Sequence, residues 1–257
     1  MIVGLIDSGL GMLPTSAWLK KLRPELDLVL LMDPDQAPWG PKPDDWVVAR
    51  VLGAVDRAMA AGAGVIVLPC NTASVTALSH VRAHLGSAVP VVGTVPAIKP
   101  AAAASTRIAV WATAATTSSA YQARLIEEFA ADRAVTPIAC HGLADAIDRG
   151  DAEGVSAAIR AAAAATPPDV ESVVLGCTHY PLVATEIVAA LPSGVRIFDS
   201  ADAVARQTLR RIDELGDGDQ GTGAVTVSLS GRDGFLPASA LAYAEGRLLA
   251  GEQSVHR

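Results

Sequence analysis

The chain has 257 residues and a mass of 26.3 kDa, which is enough for one large domain or two modest ones, each with its own core. Hydrophobic residues make up 51% of the sequence but aromatic residues only 4%, so the core must be aliphatic. The net charge of −7 argues against a protein that binds the phosphate backbone of nucleic acids, because such proteins normally carry a basic face.

The segment MIVGLIDSG, with which the sequence begins, is typical of a first strand and has no basic region or cleavage site, so we expect no signal peptide. No apolar run approaches the roughly 20 residues that span a bilayer, so we expect no membrane segment. Three cysteines, an odd number, fit a reducing compartment better than a disulfide framework. These features predict a cytoplasmic protein.

Short β-rich runs alternate along the chain with longer segments of helical periodicity. The helical segments, such as DDWVVARVLGAVDRAMAAG, carry apolar residues on one side and charged residues on the other. Continuous apolar strands separated by helices predict an α/β fold with mainly parallel sheets covered on both faces. The predicted strands are IVGLID, LDLVLLM, GVIVLP, VPVVGT, RIAVWAT, VTPIAC, SVVLG, VRIFDS and VTVSLS.

Strand ends and the cysteines that follow strands occur in the same order in the two halves of the sequence. Asp7 ends the first predicted strand and Cys70 follows the third, while Ala112 ends a later strand and Cys177 follows another. A period of about 105 residues (112 − 7) predicts two pseudo-symmetric three-layer α/β/α halves, with an active site in the cleft between them. The predicted halves are residues 1–96 with 208–257, and residues 97–207. The segment GDGDQGTG at 216–223 is predicted as a flexible turn that leads back to the first half.

Cys70 and Cys177 occupy equivalent positions of this repeat, each at a strand end and before a predicted helix N-terminus, which favours a thiolate. A buried cysteine is commonly a small hydrophobic residue, an interpretation that suits Cys140 but suits two equivalent cysteines poorly. Zinc sites bring cysteines in close pairs or with several histidines, whereas only His179 is close in sequence, so no metal site is predicted. A disulfide would need an oxidising setting.

Two thiols facing each other across a cleft suit the inversion of a carbon stereocentre. One base removes the proton from one face of the carbon while an acid delivers a proton to the other face. A thiolate and a thiol can fill these roles in either direction, and duplicated halves supply the geometry.

Six motifs resemble those of the glutamate racemases, within the cofactor-independent aspartate/glutamate racemase superfamily. The motifs stand in the family order and spacing, the resemblance covers essentially the whole chain, and VSLSGRDGF matches the family's closing strand. The six motifs are IDSGLG at 6–11, PWG at 38–40, CNTAS at 70–74, ATAAT at 112–116, GCTHYPL at 176–182 and DSADAVA at 199–205.

The resemblance implies that Cys70 and Cys177 are the catalytic acid/bases, with Cys70 taking the α-proton of the D-enantiomer and Cys177 that of the L-enantiomer. Asp7 and His179 would assist, each near one thiol, although each residue taken alone could simply be a capping group. No cofactor is implied, and in particular no pyridoxal phosphate. The implied substrate-binding residues are Ser8, Asn71, Thr72, Thr113, Thr116 and Thr178 for the α-carboxylate and ammonium, and the backbone of Pro38, Trp39 and Gly40 for the side-chain carboxylate.

Three departures from the family pattern bear on the substrate. Met12 stands where many relatives have glycine, and we expect it near the mouth of the cleft. Trp39 replaces a tyrosine, so we expect Met12 and Trp39 to influence which side chain fits. The family pattern C-P-x-x-V-P-x-x-E reads CHGLADAID from Cys140, which leaves Asp148 as the acidic residue and removes both prolines.

The predicted function is racemisation of L- and D-glutamate, which would supply D-glutamate for peptidoglycan synthesis and hence for the cell wall and cell shape. Two alternatives stay open: a racemase of aspartate or another amino acid, and a non-catalytic racemase-like binding protein. The expected partner is the amino-acid substrate, with no nucleic acid and no membrane. The oligomeric state is not determined by the sequence, and a homodimer is one assembly that the resemblance allows.

Overall fold

The computed structural model describes residues 1–216 and 221–253. The chain divides into two compact units, Met1–Thr94 with Ala201–Arg257, and Val95–Ser200. Residues 201–207, which the sequence assigned to the second half, lie in the first unit because they begin a continuous helix that packs on the helix Leu13–Leu22. Residues 217–220, in the predicted flexible turn, lie outside the described residues.

Strands and helices alternate along the chain, as the sequence predicts. In chain order they are β1 Ile2–Asp7, α1 Leu13–Leu22, β2 Asp27–Met32, α2 Asp44–Ala60, β3 Val65–Leu68, α3 Asn71–Leu85, β4 Val91–Gly93, α4 Ile98–Ala104, β5 Arg107–Ala112, α5 Ala114–Thr117, α6 Ala120–Ala130, β6 Ala134–Ala139, α7 Leu143–Arg149, α8 Ala152–Ala165, β7 Ser172–Leu175, α9 Ala184–Ala190, β8 Arg196–Phe198, α10 Ala201–Glu214, β9 Val225–Leu229, β10 Arg232–Gly234 and α11 Ala244–Ala250. Short 3-10 segments cover Leu10–Met12, Tyr180–Val183 and Ala238–Ala242.

The sheet of the first unit has the strand order β10-β9-β2-β1-β3-β4. The central strand β1 pairs in parallel with β2 and β3, so that Leu5 lies between Leu30 and Val67. Because parallel strands end at the same edge, the residues that follow β1 and β3 are brought to one side of the sheet. That side is the carboxyl edge, where ligands of α/β sheets bind.

The strand β10 departs from the mainly parallel pattern, because it pairs antiparallel to β9. The turn between them is Ser230-Gly231, and both residues have positive φ angles, 48° and 85°. Two successive residues with positive φ form the tight turn that joins antiparallel strands with the correct twist.

The sheet of the second unit has the order β6-β5-β7-β8, and each neighbouring pair is parallel. Trp111 on β5 lies between Ile138 on β6 and Leu175 on β7. The order β2-β1-β3-β4 of the first unit therefore recurs as β6-β5-β7-β8, which agrees with the repeat of landmarks in the sequence. The predicted α/β fold class with mainly parallel sheets is confirmed.

Both units have aliphatic cores, as the composition requires. In the first unit α2 and α3 pack on the sheet and bury residues such as Val51, Ile66 and Ala77. A smaller cluster in the second unit includes Ile98, Ile108 and Val174. Within residues 1–216 and 221–253, no helix is both long enough and apolar enough to cross a membrane.

Candidate active site

The carboxyl end of β1 carries two of the predicted site residues. Asp7 is fully buried, and its Oδ1 atom lies 3.4 Å both from the Ser8 hydroxyl and from the backbone nitrogen of Gly9, each of which donates a hydrogen bond. Ser8 is also buried. Since β1 and β3 are parallel neighbours, Asp7 lies at the same sheet edge as the residues that follow β3.

Cys70 is buried and is the N-cap residue of α3, a helix of 15 residues. Ser74 fixes the start of this helix, because its hydroxyl donates to the Leu68 carbonyl at 2.9 Å and accepts from the Thr94 backbone nitrogen at 2.9 Å. The helix dipole at this position favours a thiolate over a thiol. Asn71 and Thr72 occupy the first turn and are half-buried, so their polar groups lie beside the thiol-bearing residue.

In the predicted turn Pro38–Gly40, two exposed residues flank a residue with a buried side chain. Pro38 and Gly40 are exposed, whereas the Trp39 ring is buried in the core of the first unit. A Cβ atom built on Gly40 would stand 3.8 Å from Oγ1 of Thr72, so the turn adjoins the start of α3. Met12 is fully buried in its 3-10 segment, and its expected place near a cleft mouth stays a prediction.

Asp33 is a polar residue of this edge that the sequence analysis did not single out. It follows β2 and accepts hydrogen bonds from Trp39 Nε1 at 3.0 Å and from Arg50 Nε at 2.9 Å. Burial acts to raise the pKa of Asp33, but the hydrogen bonds from Arg50, Trp39 and Ser230 outweigh it and hold that pKa below its ordinary value. Its position directly after a predicted strand was the available signal.

In the second unit, Gly176 brings Cys177 to the sheet edge. The Gly176 backbone nitrogen donates to the Trp111 carbonyl at 2.7 Å, and a Cβ atom on residue 176 would lie only 2.9 Å from that oxygen. A residue with a side chain would therefore push β7 away from β5 here. Glycine is required at this position by the close approach of the two strands, and Cys177 follows it half-buried.

A histidine and a carboxylate stand behind the Cys177 thiol. The Cys177 Sγ atom lies 3.7 Å from His179 Nδ1, and His179 Nε2 lies 3.0 Å from Asp148 Oδ1. Burial acts to lower the pKa of His179, but Asp148 and then Cys177 outweigh it and raise that pKa well above its ordinary value. A protonated imidazole beside the sulfur stabilises a thiolate electrostatically. Asp148 thus forms a group of three with Cys177 and His179. The sequence motifs indicated the other two as site residues, but Asp148 only as the acidic residue of a family pattern.

The chain after Cys177 differs from the prediction of a helix N-terminus. Tyr180–Val183 is a 3-10 segment that includes Pro181, and α9 begins only at Ala184. The two thiols therefore have different surroundings: Cys70 begins a long helix, whereas Cys177 has the His179 imidazole beside it.

Cys140 is a buried thiol of the second unit whose surroundings suppress ionisation. Burial raises its pKa to about 12, and this effect outweighs a hydrogen bond with Tyr180 that lowers it. Cys140 therefore stays protonated at neutral pH, which agrees with its interpretation as a small core residue. Of the two cysteines in this unit, only Cys177 combines partial exposure with a basic neighbour.

Three predicted threonines lie at the carboxyl edge of the second sheet. Thr113 follows β5 and caps α5, and its hydroxyl accepts from the Thr116 backbone nitrogen at 3.3 Å and donates to the Thr116 hydroxyl at 3.0 Å. Thr178 follows Cys177 and is half-buried.

Among the residues that the structure describes, no group of three or more His, Cys, Asp or Glu side chains is placed to hold a metal ion.

Sequence comparison matches most of the chain to racemases. The profile of the family Asp/Glu/Hydantoin racemase matches residues 17–208. A glutamate racemase of Pseudomonas entomophila (strain L48) is 36% identical over 219 residues, which cover 82% of each chain.

Two solved structures have the same fold. One is Escherichia coli glutamate racemase in complex with L-glutamate and the activator UDP-MurNAc-ala, with a TM-score of 0.84 and 26% identity over 98% of this chain and 96% of that one. The other is glutamate racemase from Thermus thermophilus in complex with beta-chloro-D-alanine, with a TM-score of 0.73 and 28% identity over 99% and 95% of the two chains.

Proposed function

The chain belongs to the Asp/Glu/hydantoin racemase family, and we propose that this isomerase interconverts L-glutamate and D-glutamate without a cofactor. One observation supports the mechanism most directly. A cysteine follows the equivalent strand of each sheet, β3 and β7, and each cysteine has a feature that favours its thiolate. The relatives named glutamate racemase support the choice of substrate.

In the direction from L- to D-glutamate, the Cys177 thiolate removes the α-proton and becomes a thiol. The Cys70 thiol delivers its own proton to the opposite face of the carbon and becomes a thiolate. The reverse reaction exchanges the two roles, so one proton is taken and one is given in each turnover. The mechanism requires both sulfurs to reach the same carbon from opposite sides.

The α-proton of an amino acid is very weakly acidic, so the carbanion that develops needs stabilisation. Its charge spreads into the α-carboxylate, which neutral hydrogen-bond donors can hold. His179, kept protonated by Asp148, stabilises the Cys177 thiolate before the proton is taken. The proposed donors to the substrate are Ser8, Asn71, Thr72, Thr113, Thr116 and Thr178, and Asp7 assists Cys70.

The side-chain carboxylate is assigned to the turn Pro38–Gly40. Pro38 and Gly40 of this turn are exposed, and Gly40 lies next to Thr72 on the helix that Cys70 begins. Trp39 and Gly40 carry backbone N–H groups, whereas Pro38 has none, and such groups bind a carboxylate without a fixed cation, which is compatible with a net charge of −7. In the cell we assign the protein to the cytoplasm and to the supply of D-glutamate for peptidoglycan. A homodimer stays a prediction.

Circular dichroism tests the proposal directly. We expect L-glutamate solutions to lose their optical activity on incubation with the protein in deuterated water without added cofactor, and deuterium to appear at the α-carbon. L-aspartate should change far more slowly. Exchange into aspartate but not glutamate would contradict the substrate, and absence of exchange with every amino acid tried would support a non-catalytic binding protein. The variant Cys140→Ser is the matched thiol control and should keep most of the activity.

A further inference from the structure

Asp33 holds the Trp39 side chain and the Arg50 side chain at the same time. Its Oδ2 atom accepts from Trp39 Nε1 at 3.0 Å and from Arg50 Nε at 2.9 Å, and a second guanidinium N–H of Arg50 donates to Oδ1. Such a two-point contact between guanidinium and carboxylate fixes the plane of the carboxylate. The direction in which Asp33 receives the indole N–H is therefore set by Arg50.

The backbone of Asp33 connects to another predicted part of the site. Its nitrogen donates to the Ser8 carbonyl at 3.2 Å, so Asp33 is tied to the segment that carries Asp7 and Ser8. Through its side chain it is tied to the turn Pro38–Gly40, because Trp39 is the central residue of that turn. One residue thus links two segments to which substrate contacts are assigned.

The Trp39 ring is buried in the core but borders free space. A cavity of about 80 Å³ lies beside it, and its lining includes Leu31, Gly53 and Ala54. An aromatic ring with free space on one side can shift unless a directional contact holds it. The hydrogen bond to Asp33 is that contact, and a shift of the ring would carry the backbone of the turn with it.

We infer that Asp33 is a positioning residue that fixes the turn Pro38–Gly40 through the Trp39 indole and so makes the protein prefer glutamate over the shorter aspartate. The inference rests on the proposed function. Glutamate and aspartate differ by one methylene group. The distance between the turn and Cys70 at the start of α3 therefore decides which of the two side chains can reach the turn. A fixed turn discriminates between the two lengths, and a mobile turn does not.

The test uses Trp39→Phe, which removes the indole donor, and Asp33→Asn, which removes the charge that orients Arg50, together with the double variant. The control is Trp111→Phe in the second unit, which also loses a buried indole hydrogen bond, to Thr166 at 2.9 Å. For each protein one measures KM and kcat with L-glutamate and L-aspartate, the dissociation constant of L-glutamate by calorimetry, and the melting temperature.

Each single variant should raise KM and the dissociation constant for glutamate about tenfold and change kcat much less, because the lost interaction serves binding. The preference in kcat/KM for glutamate over aspartate should fall by a similar factor. The double variant should match the Trp39→Phe variant, since both changes act on the same Asp33–Trp39 contact. Trp111→Phe should lower the melting temperature without changing KM or the preference.

Unchanged glutamate affinity and unchanged preference in both folded single variants would overturn the inference. So would fully additive effects in the double variant. If the parent protein binds glutamate but does not racemise it, the proposed function fails while the dissociation constants still decide the role of Asp33. If the parent protein does not bind glutamate, both are wrong.

Discussion

The His179 imidazole and the Asp148 carboxylate form a contact of 3.0 Å between Nε2 and Oδ1 in the second unit. His179 is buried, and Asp148 is the group that most strongly favours its charged form. The opposite ring nitrogen faces Cys177. The raised pKa of His179 therefore favours a positive charge next to the sulfur that the proposed mechanism requires as a thiolate, and the carboxylate that favours this charge lies 31 positions earlier in the chain.

The first prediction concerns Asp148→Asn. The variant keeps the size of the side chain but removes its charge, so the pKa of His179 should fall and its charged form should support the Cys177 thiolate less. We expect kcat for racemisation of L-glutamate to fall by about 10- to 100-fold, which is less than the roughly 10²- to 10⁴-fold of a direct acid/base group because Asp148 acts through His179.

The matched control is Asp56→Asn, which breaks an exposed Asp56–His84 contact of 2.7 Å. It should leave racemisation unchanged. Equal kcat values for Asp148→Asn and the parent protein would show that the carboxylate has no part in the reaction.

The second prediction is a pH dependence of stability. The folded pKa of His179 is raised, so its contribution is fully present below the unfolded value of about 6.5 and is lost as pH rises through the folded pKa. The free energy of unfolding of the parent protein should exceed that of Asp148→Asn by more at about pH 6 than at about pH 10. Urea titrations at both pH values measure this, and a gap that widens with rising pH would reverse the sign of the argument.

The third prediction separates the two thiols. With a 3-substituted glutamate analogue that eliminates after proton removal, Cys177→Ser should stop elimination from the L-enantiomer far more than from the D-enantiomer. Cys70→Ser should show the reverse preference. Full racemisation should fall by at least about 10³-fold in both variants, because in the proposed mechanism each thiol serves as base in one direction and as acid in the other. Equal losses for both enantiomers in both variants would contradict the assignment of one thiol to each face.

The fourth prediction concerns stability alone. Lys20 is almost fully buried on α1, where its ammonium contacts the carbonyls of Pro24, Leu26 and Gly223 and lies 3.0 Å from the Glu252 carboxylate. Replacing Lys20 by methionine leaves these oxygens without their cation and should lower the free energy of unfolding by about 3 kcal/mol.

The control for that experiment is Lys21→Met on the same helix. Lys21 is exposed and lies 4.4 Å over the Trp18 ring, so its loss should cost less than about 1 kcal/mol. Urea unfolding of both variants gives the comparison. Similar costs for the two lysines would mean that the buried contacts contribute little.

Much of the fold follows from local sequence patterns. Apolar runs of strand length identify the parallel strands, and parallel pairing by itself brings Asp7 and the two cysteines to the carboxyl edges of their sheets. The contacts between segments that are distant in sequence cannot be predicted from such local patterns. Nothing in the helical pattern of α1 shows that Lys20 would meet a carbonyl 203 positions later. Likewise, a tryptophan in a polar turn gives no sign that its ring would enter the core towards Asp33.

The different surroundings of the two thiols have a consequence for the proposed reaction at alkaline pH. The dipole at the start of α3, where Cys70 stands, comes from the backbone and does not titrate. The imidazole beside Cys177 can lose its proton. As the pH rises, Cys70 keeps the electrostatic stabilisation of its thiolate by the helix dipole. Cys177 loses the stabilisation of its thiolate when His179 loses its proton. The two enantiomers would then differ in which proton transfer limits their turnover, even though an equilibrium constant of one between mirror images cannot change.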